Sequence, residues 1–566
     1  MNLYSRIFGE VLSTLSKPLV HGFGDDLMSD SKTPVFLRDA TGLVKGLTTF
    51  DTFALGVTGV TPGVTMCLFY MYIVYLYPGV NMTLTSLGSI PIALIYAGVY
   101  YLLSIAMPRS GGDYVYGSRI IHPLWGLLPN WMYIYAQVVA FGFLAASIGS
   151  GYLGPLLAML GSFYKSPTLL GWSTAVATVN IAFAISIVAI WLSFVVNIPG
   201  LRSYAKWQLV TFIISIAAIV ASLIILAGSN NQAYQVAFNR YAAQYNTTYT
   251  GVIQEAENAG WKPATTASIS DTSQGLVYMA GTSLATVFPV LAGGEIRNPK
   301  KSLFWGTIGA IVFCGLLFVG GAVFLYGTAG DEFVKALAFI TNNGVSTNPL
   351  PAPPLFQYLT SILVQDNPGL IMFIGIGWLL GLLILFPAYY LVISRSMFAW
   401  SFDRIIPAFF ADVNDKFHAP MKTLITTALL TTGAAAMTLY TNYLGLFFNI
   451  TLAVVSSFLF AGVAAAVFPY VKRARAMWEQ APPIVRTKVA GVPLISILGI
   501  TNTVIMLWLT YLDLISPALS GPVNPVSVGI VGAVYVLAIA VYLVSKVYHR
   551  SHGLNIDLAF QQIPPE

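Results

Sequence analysis

The chain has 566 residues, of which 57% are hydrophobic and 8% charged, with a mean hydropathy of +0.76. Soluble globular chains carry about 25% charged residues, so the composition excludes that class and specifies a polytopic membrane protein. The net charge of +6 resembles that of a nucleic-acid binder, but the basic residues lie between apolar runs, and the partner they imply is the lipid bilayer.

Residues 1–45 contain no uninterrupted apolar core followed by a small-residue cleavage site, and read as a retained N-terminal tail. A membrane-crossing helix needs about 20 apolar residues. Twelve segments qualify, near 46–76, 85–107, 124–151, 173–196, 205–228, 274–294, 302–327, 369–398, 421–440, 443–470, 492–513 and 526–547. With the N-terminus inside, 23 of the 27 Lys and Arg residues fall on the cytoplasmic side, and only Lys165, Arg240, Lys262 and Lys335 fall outside. That bias is the positive-inside pattern, and a missed span would scramble it. The expectation is a multi-pass protein of the plasma membrane with both termini, including the tail 548–566, in the cytoplasm.

The first span contains ALGVTGVTPGV, Ala54 to Val64, with Gly56, Gly59, Pro62 and Gly63 where a span should be most helical. Unwound backbone in a bilayer survives only where protein or a polar cavity satisfies it. Thr58 and Thr61 add hydroxyls at the same level. Five spans later, AGTSLAT (Ala280 to Thr286) precedes Phe288 and Pro289 and is again small, hydroxylated and helix-weak. The first stretch alone reads equally as a kink or packing feature and as a binding site. Together, at corresponding positions of two halves, they point to a transporter binding site at an inverted-repeat interface. The repeats are then 46–228 (spans 1–5) and 274–470 (spans 6–10). An outer loop, 229–273, separates them, and spans 11 and 12 follow at 492–547.

Other chemistries lack their residues. His21, His122, His418, His549 and His552 lie in tails or loops, Cys67 and Cys314 are isolated in apolar runs, and no nucleotide fingerprint is present. The expectation is no enzyme, no metal and no cofactor. Asp51, Glu295 and Asp513 fall at span ends, which limits any carboxylate relay through the membrane. The long outer loop carries the sequon Asn246-Thr247-Thr248.

PRSGGDYVYGSRIIHP (Pro108 to Pro123), the exit Glu295-Ile296-Arg297-Asn298-Pro299-Lys300-Lys301, SRSMFAWSFDRIIPAFF (Ser394 to Phe410) and GVPLISILG (491–499) together resemble motifs of the amino acid–polyamine–organocation transporter superfamily. The resemblance runs from about residue 36 to 550. It implies an all-α fold of two inverted five-helix repeats plus two helices, and secondary active transport of an amino acid or related amine by alternating access. It also implies a site in which span 1 amides take a substrate carboxylate and span 6 carbonyls its amino group. The residues so placed are Thr58, Gly59, Thr61 and Gly63, with Gly281, Thr282, Ser283, Leu284 and Ala285. Phe288, Arg109, Arg119 and Arg395 fall at gating positions. Pro62 departs from the pattern because it has no N–H where the cradle would offer one. Gly281 stands where some members carry an aromatic gate, and Ser215 where proton-coupled members carry a lysine. The coupling ion, H+ or Na+, stays open. With no acid at site level, a neutral amino acid is favoured over a cationic one. The competing reading is a transporter-like sensor or partner-binding subunit.

Overall fold

The computed structural model describes residues 45–264, 266–343, 350–414, 419–441, 450–516 and 525–561. The expected tail 1–45 therefore lies almost wholly outside the described residues. Among the described residues, twelve helices are long and apolar enough to cross a membrane: Thr49–Leu76, Met82–Ala106, Pro123–Ala146, Val179–Asn197, Leu201–Ala227, Ile269–Leu291, Pro299–Ala329, Pro368–Phe402, Met421–Tyr440, Ile450–Val467, Leu494–Ile515 and Pro525–Ser551. They are numbered spans 1 to 12 below, and each overlaps one predicted segment.

Polar caps set where several spans begin. Thr48 and Asp51 form a reciprocal capping box at the start of span 1, and Asn81, Ser268 and Asn367 cap spans 2, 6 and 8 through their side chains. Each cap accepts an amide that the first helical turn leaves without a partner. Spans 1 and 6 are the most enclosed, with 83% and 78% of their apolar windows buried. They form the centre of the bundle. Small residues let its helices approach closely: a Cβ on Gly142 of span 3 would stand 2.5 Å from that of Ala434 in span 9, and one on Gly499 of span 11 would stand 2.4 Å from Ala466 N of span 10.

The connections are less plain than their composition suggests. The polar stretch 229–273 contains helices Asn231–Ala242 and Tyr249–Asn258, and the next long connection contains Asp331–Asn342 and Phe356–Leu363. Tyr249 stacks on Phe333 with ring centroids 4.2 Å apart, and Phe238 packs edge-on against Phe333 at 4.8 Å. These loops thus carry a small apolar core of their own. At the opposite end of the bundle, the face with the basic loops, a short helix Asp113–Ile120 joins spans 2 and 3 and is buried along its whole length.

Candidate functional site

Span 1 breaks at one residue. Helix Thr49–Val60 ends at Thr61, which has φ 47° and ψ 66°, and the helix resumes at Pro62. The break is narrower than the glycines suggest, because Thr61 N–H still reaches Val57 O and Thr58 O at 3.0 and 3.1 Å, and Thr65 N–H reaches Thr61 O at 2.9 Å. Left-handed backbone is strained for a β-branched residue. Pro62 occupies the first position of the resumed helix, where the missing N–H has no intrahelical acceptor to lose. The departure at Pro62 is thus also the local cause of the break. The first amides of the outer half are those of Gly63 and Val64.

Span 6 tightens rather than unwinds. Its α-helix runs Ile269–Ser283, a 3₁₀ segment covers Leu284–Val287, and one α turn Phe288–Leu291 closes it. Pro289 has no N–H for the Ala285 carbonyl four residues back, and that carbonyl takes the amide of Phe288 instead. The shift from an i−4 to an i−3 partner is the 3₁₀ geometry. Thr282 and Ser283 turn their hydroxyls back onto Met279 O at 3.1 and 3.0 Å.

The structure brings the two interruptions into contact at Gly59. A Cβ there would stand 2.1 Å from Ala285 O and 3.1 Å from Phe288 Cγ. Thr58 is buried beside it, with no hydrogen-bond partner for Oγ1 among the described residues. The remaining candidates diverge. Gly63 faces Ile219 of span 5 and Gly381 of span 8, and Ser215 lies against that same Gly381. Gly281 faces Thr451 of span 10. Gly281, Thr282 and Ala285 are half-buried, while Ser283 and Leu284 are buried. Phe288 is buried and packs edge-on against Tyr389 at 5.8 Å.

Above the break, Phe69 and Tyr72 pack on Tyr278 at 6.0 and 5.9 Å. Span 7 holds both halves of span 1. A Cβ on Gly56 would stand 1.8 Å from Gly306 O, and Thr49 and Ser302 share a hydrogen bond of 3.0 Å. In the outer half, Tyr70 OH donates to Phe318 O, and Tyr326 OH to Tyr70 O.

The basic face is sealed. Arg395 binds both oxygens of Glu295 at 2.5 and 2.9 Å, and Arg119 binds both oxygens of Asp403 at 2.6 and 2.9 Å. All four side chains are buried. Tyr114 OH donates to Asp403 as well, and Arg109 Nη1 to Pro108 O. Gly111 N–H bonds Leu291 O at 2.9 Å, and Gly46 and Leu47 amides bond Glu295 O. The C-terminal segment folds over this seal: Arg119 lies over the buried Phe560 ring at 5.1 Å, and Arg473 Nη2 donates to Phe560 O at 2.6 Å.

Sequence reasoning missed two features here. Asp113 reads as a loop acid but is buried. Nothing in the sequence of the final 15 residues signals that Phe560 docks on an arginine. Among the described residues, no group of three or more His, Cys, Asp or Glu could hold a metal ion.

Twelve apolar helices among the described residues, two of them interrupted and touching at their interruptions, are the architecture of a polytopic all-α membrane transporter. The amino acid permease family profile matches residues 47–544, and the chain belongs to that family. It is similar to a methylthioribose transporter of Bacillus subtilis, 22% identical over 80% of this chain and 83% of the relative. It is also similar to uncharacterized transporters of Mycobacterium tuberculosis and Mycobacterium bovis, 23% identical over 59% of this chain. The chain covers 61% of the length of those mycobacterial relatives.

Proposed function

We propose that this chain is a secondary active transporter of neutral amino acids, working by alternating access in the plasma membrane with the basic face in the cytoplasm. Spans 1–5 and 6–10 form two inverted repeats in this reading. The observation that carries it is the meeting of the two interrupted spans at Gly59 and Ala285. The outer half of span 1 begins there, and helix N-termini favour a carboxylate. The carbonyls of half-buried Gly281 and Thr282, which each hold an intrahelical amide, keep a second lone pair for an ammonium in this reading. Neutrality of the rest of the substrate follows from the acids: Glu295 is consumed by Arg395, and none of the candidate site residues is acidic.

A second reading is a neutral hydroxylated substrate such as methylthioribose. Pro62, which removes one amide from the proposed cradle, favours it, as does the similarity to the Bacillus subtilis transporter of that compound. Uptake by proteoliposomes separates the two. Saturable uptake of radiolabelled alanine or leucine, not competed by methylthioribose, supports the first. Methylthioribose uptake without amino acid uptake supports the second. Uptake of cationic amino acids alone sinks both.

A further inference from the structure

Four acids are buried among the described residues: Asp113, Glu295, Asp403 and Asp513. Glu295 and Asp403 are each held by an arginine, and Asp513 lies at the far end of span 11. Asp113 differs from the paired acids. It is 5% exposed, and among the described residues no cation pairs with it. Its carboxylate accepts from Asn130 Nδ2 at 2.7 Å, and the first amides of its own helix, those of Asp113 and Tyr114, complete its contacts. Asn130 in turn accepts from Trp400 Nε1 of span 8 at 2.9 Å, which fixes the amide so that its NH2 points at Asp113.

Among the described residues, no charged side chain of the surrounding elements pairs with it: Arg109 donates to Pro108 O, and Lys472 is exposed. On its own helix, Tyr114 and Arg119 turn to Asp403, and Tyr116 is buried. Span 2 presents Tyr96 and Tyr100, and span 3 presents Tyr133, all buried phenols, while His122 caps the start of span 3. On span 8, Arg395 is bound to Glu295. Span 10 has no titratable side chain over 450–467. Arg473 is engaged by Phe560 O, and Asp557 by Lys546.

The position is mechanical as well as electrostatic. Gly111 and Gly112 directly precede Asp113. Gly111 bonds Leu291 O at the inner end of span 6, Ser110 pairs with Ala292, and a Cβ on Gly112 would stand 2.9 Å from Leu291 Cδ2. The turn that closes the gate and the helix that buries the carboxyl are therefore one segment. Separating it from span 6 admits water to both.

We propose that Asp113 is a proton-binding site of the cytoplasmic gate: its carboxyl holds a proton while the gate is closed and releases it to cytoplasmic water when the gate opens. The proposal rests on the transporter reading for its orientation. Burial raises this carboxyl from its ordinary range to about 7, whereas a hydrated aspartate titrates near ~4. The closed form thus binds the proton more tightly. Acidification from about 7 towards about 4 favours closure by up to about tenfold per pH unit, and above about 7 the contribution is constant.

The test uses the full chain in lipid vesicles and needs no substrate. Infrared titration of the protonated-carboxyl stretch should show a group with a midpoint near 7. Asp113→Asn should remove it, Asp113→Glu should retain one, and Asn130→Ala, which deletes the donor that stabilises the carboxylate, should move the midpoint upward. On an Ala292→Cys reporter background, labelling by an impermeant maleimide from the cytoplasmic side is compared at equal pH with and without Asp113→Asn, so that ionisation of the thiol cancels. The ratio of labelling with Asp113 to labelling without it should fall by up to about tenfold per unit of acidification between about 7 and about 4. The proposal is overturned if the wild type has no carboxyl titrating near neutrality, if that band survives in Asp113→Asn, or if the two backgrounds label alike at every pH. If Asp113→Asn does not fold, the wild-type titration and the direction of the Asn130→Ala shift decide. Failure of amino acid uptake would sink the substrate reading and leave the infrared result standing.

Discussion

The carbonyl oxygen of Ala285 occupies the space that any side chain on Gly59 would need, 2.1 Å from an ideal Cβ. Two interrupted helices therefore meet backbone to backbone, and a methyl group is enough to separate them. Gly59→Ala should lower thermal stability in detergent by about 1–3 kcal/mol and abolish uptake. Gly433→Ala is the control, since a Cβ there meets nothing within 4 Å; it should leave uptake unchanged and stability unchanged or raised by up to about 1 kcal/mol. Equal behaviour of the two variants would reject the contact.

Thr61 holds span 1 open in a left-handed conformation that asparagine adopts more readily than a β-branched residue. Thr61→Asn should be more stable than the wild type by about 0.5–1 kcal/mol, measured by thermal unfolding. A loss of stability would mean that the threonine is not strained.

Pro62 separates the two substrate readings. Pro62→Ala adds an N–H at the start of the outer half of span 1. For a carboxylate substrate one added hydrogen bond is worth about 1 kcal/mol, a roughly fivefold fall in KM. For methylthioribose, which brings no carboxylate, KM should not move.

Arg119 and Asp403 are both buried, so removing one leaves the other charged and without its main counterion. Arg119→Ala or Asp403→Ala should each cost about 3–5 kcal/mol, and the double variant clearly less than their sum. A double-mutant cycle on thermal stability measures this, and additivity would show that the pair is not coupled.

Phe560 docks on Arg119 with its ring buried. Phe560→Ala should weaken attachment of the C-terminal segment by about 3 kcal/mol. Trypsin added to the protein in detergent should then cut after Arg550 at a rate far above that of the wild type. Cleavage at the wild-type rate would show that the ring does not hold the segment.

How far these features are legible in the sequence depends on the range of the forces that set them. The twelve spans rest on local apolar content and on caps such as Thr48 and Asn81, both of which lie within a single segment. Pro62 and Pro289 are likewise local, and each accounts for the irregularity beside it. The width of the first break was not legible, because four candidate residues weaken the helix and only packing concentrates the disruption at Thr61. Gly281 and Gly63 were grouped with Gly59 by position along their spans, yet the faces they turn to spans 10, 5 and 8 depend on helix rotation, which hydropathy does not fix. Asp113 follows a glycine pair in a stretch flanked by Arg109 and Arg119, which reads as solvated loop. Its burial depends on Asn130 and Trp400, which are distant in sequence.

Span 7 acts as a splint across the break in span 1. It grips the inner half through Gly306 and Ser302 and the outer half through Phe318 and Tyr326. A hinge at Thr61 therefore cannot flex alone: bending span 1 must bend or slide its splint. The π-turn Trp305–Gly309 places span 7's own irregular segment beside Gly56. Stiffness there would then set how fast the two halves can part.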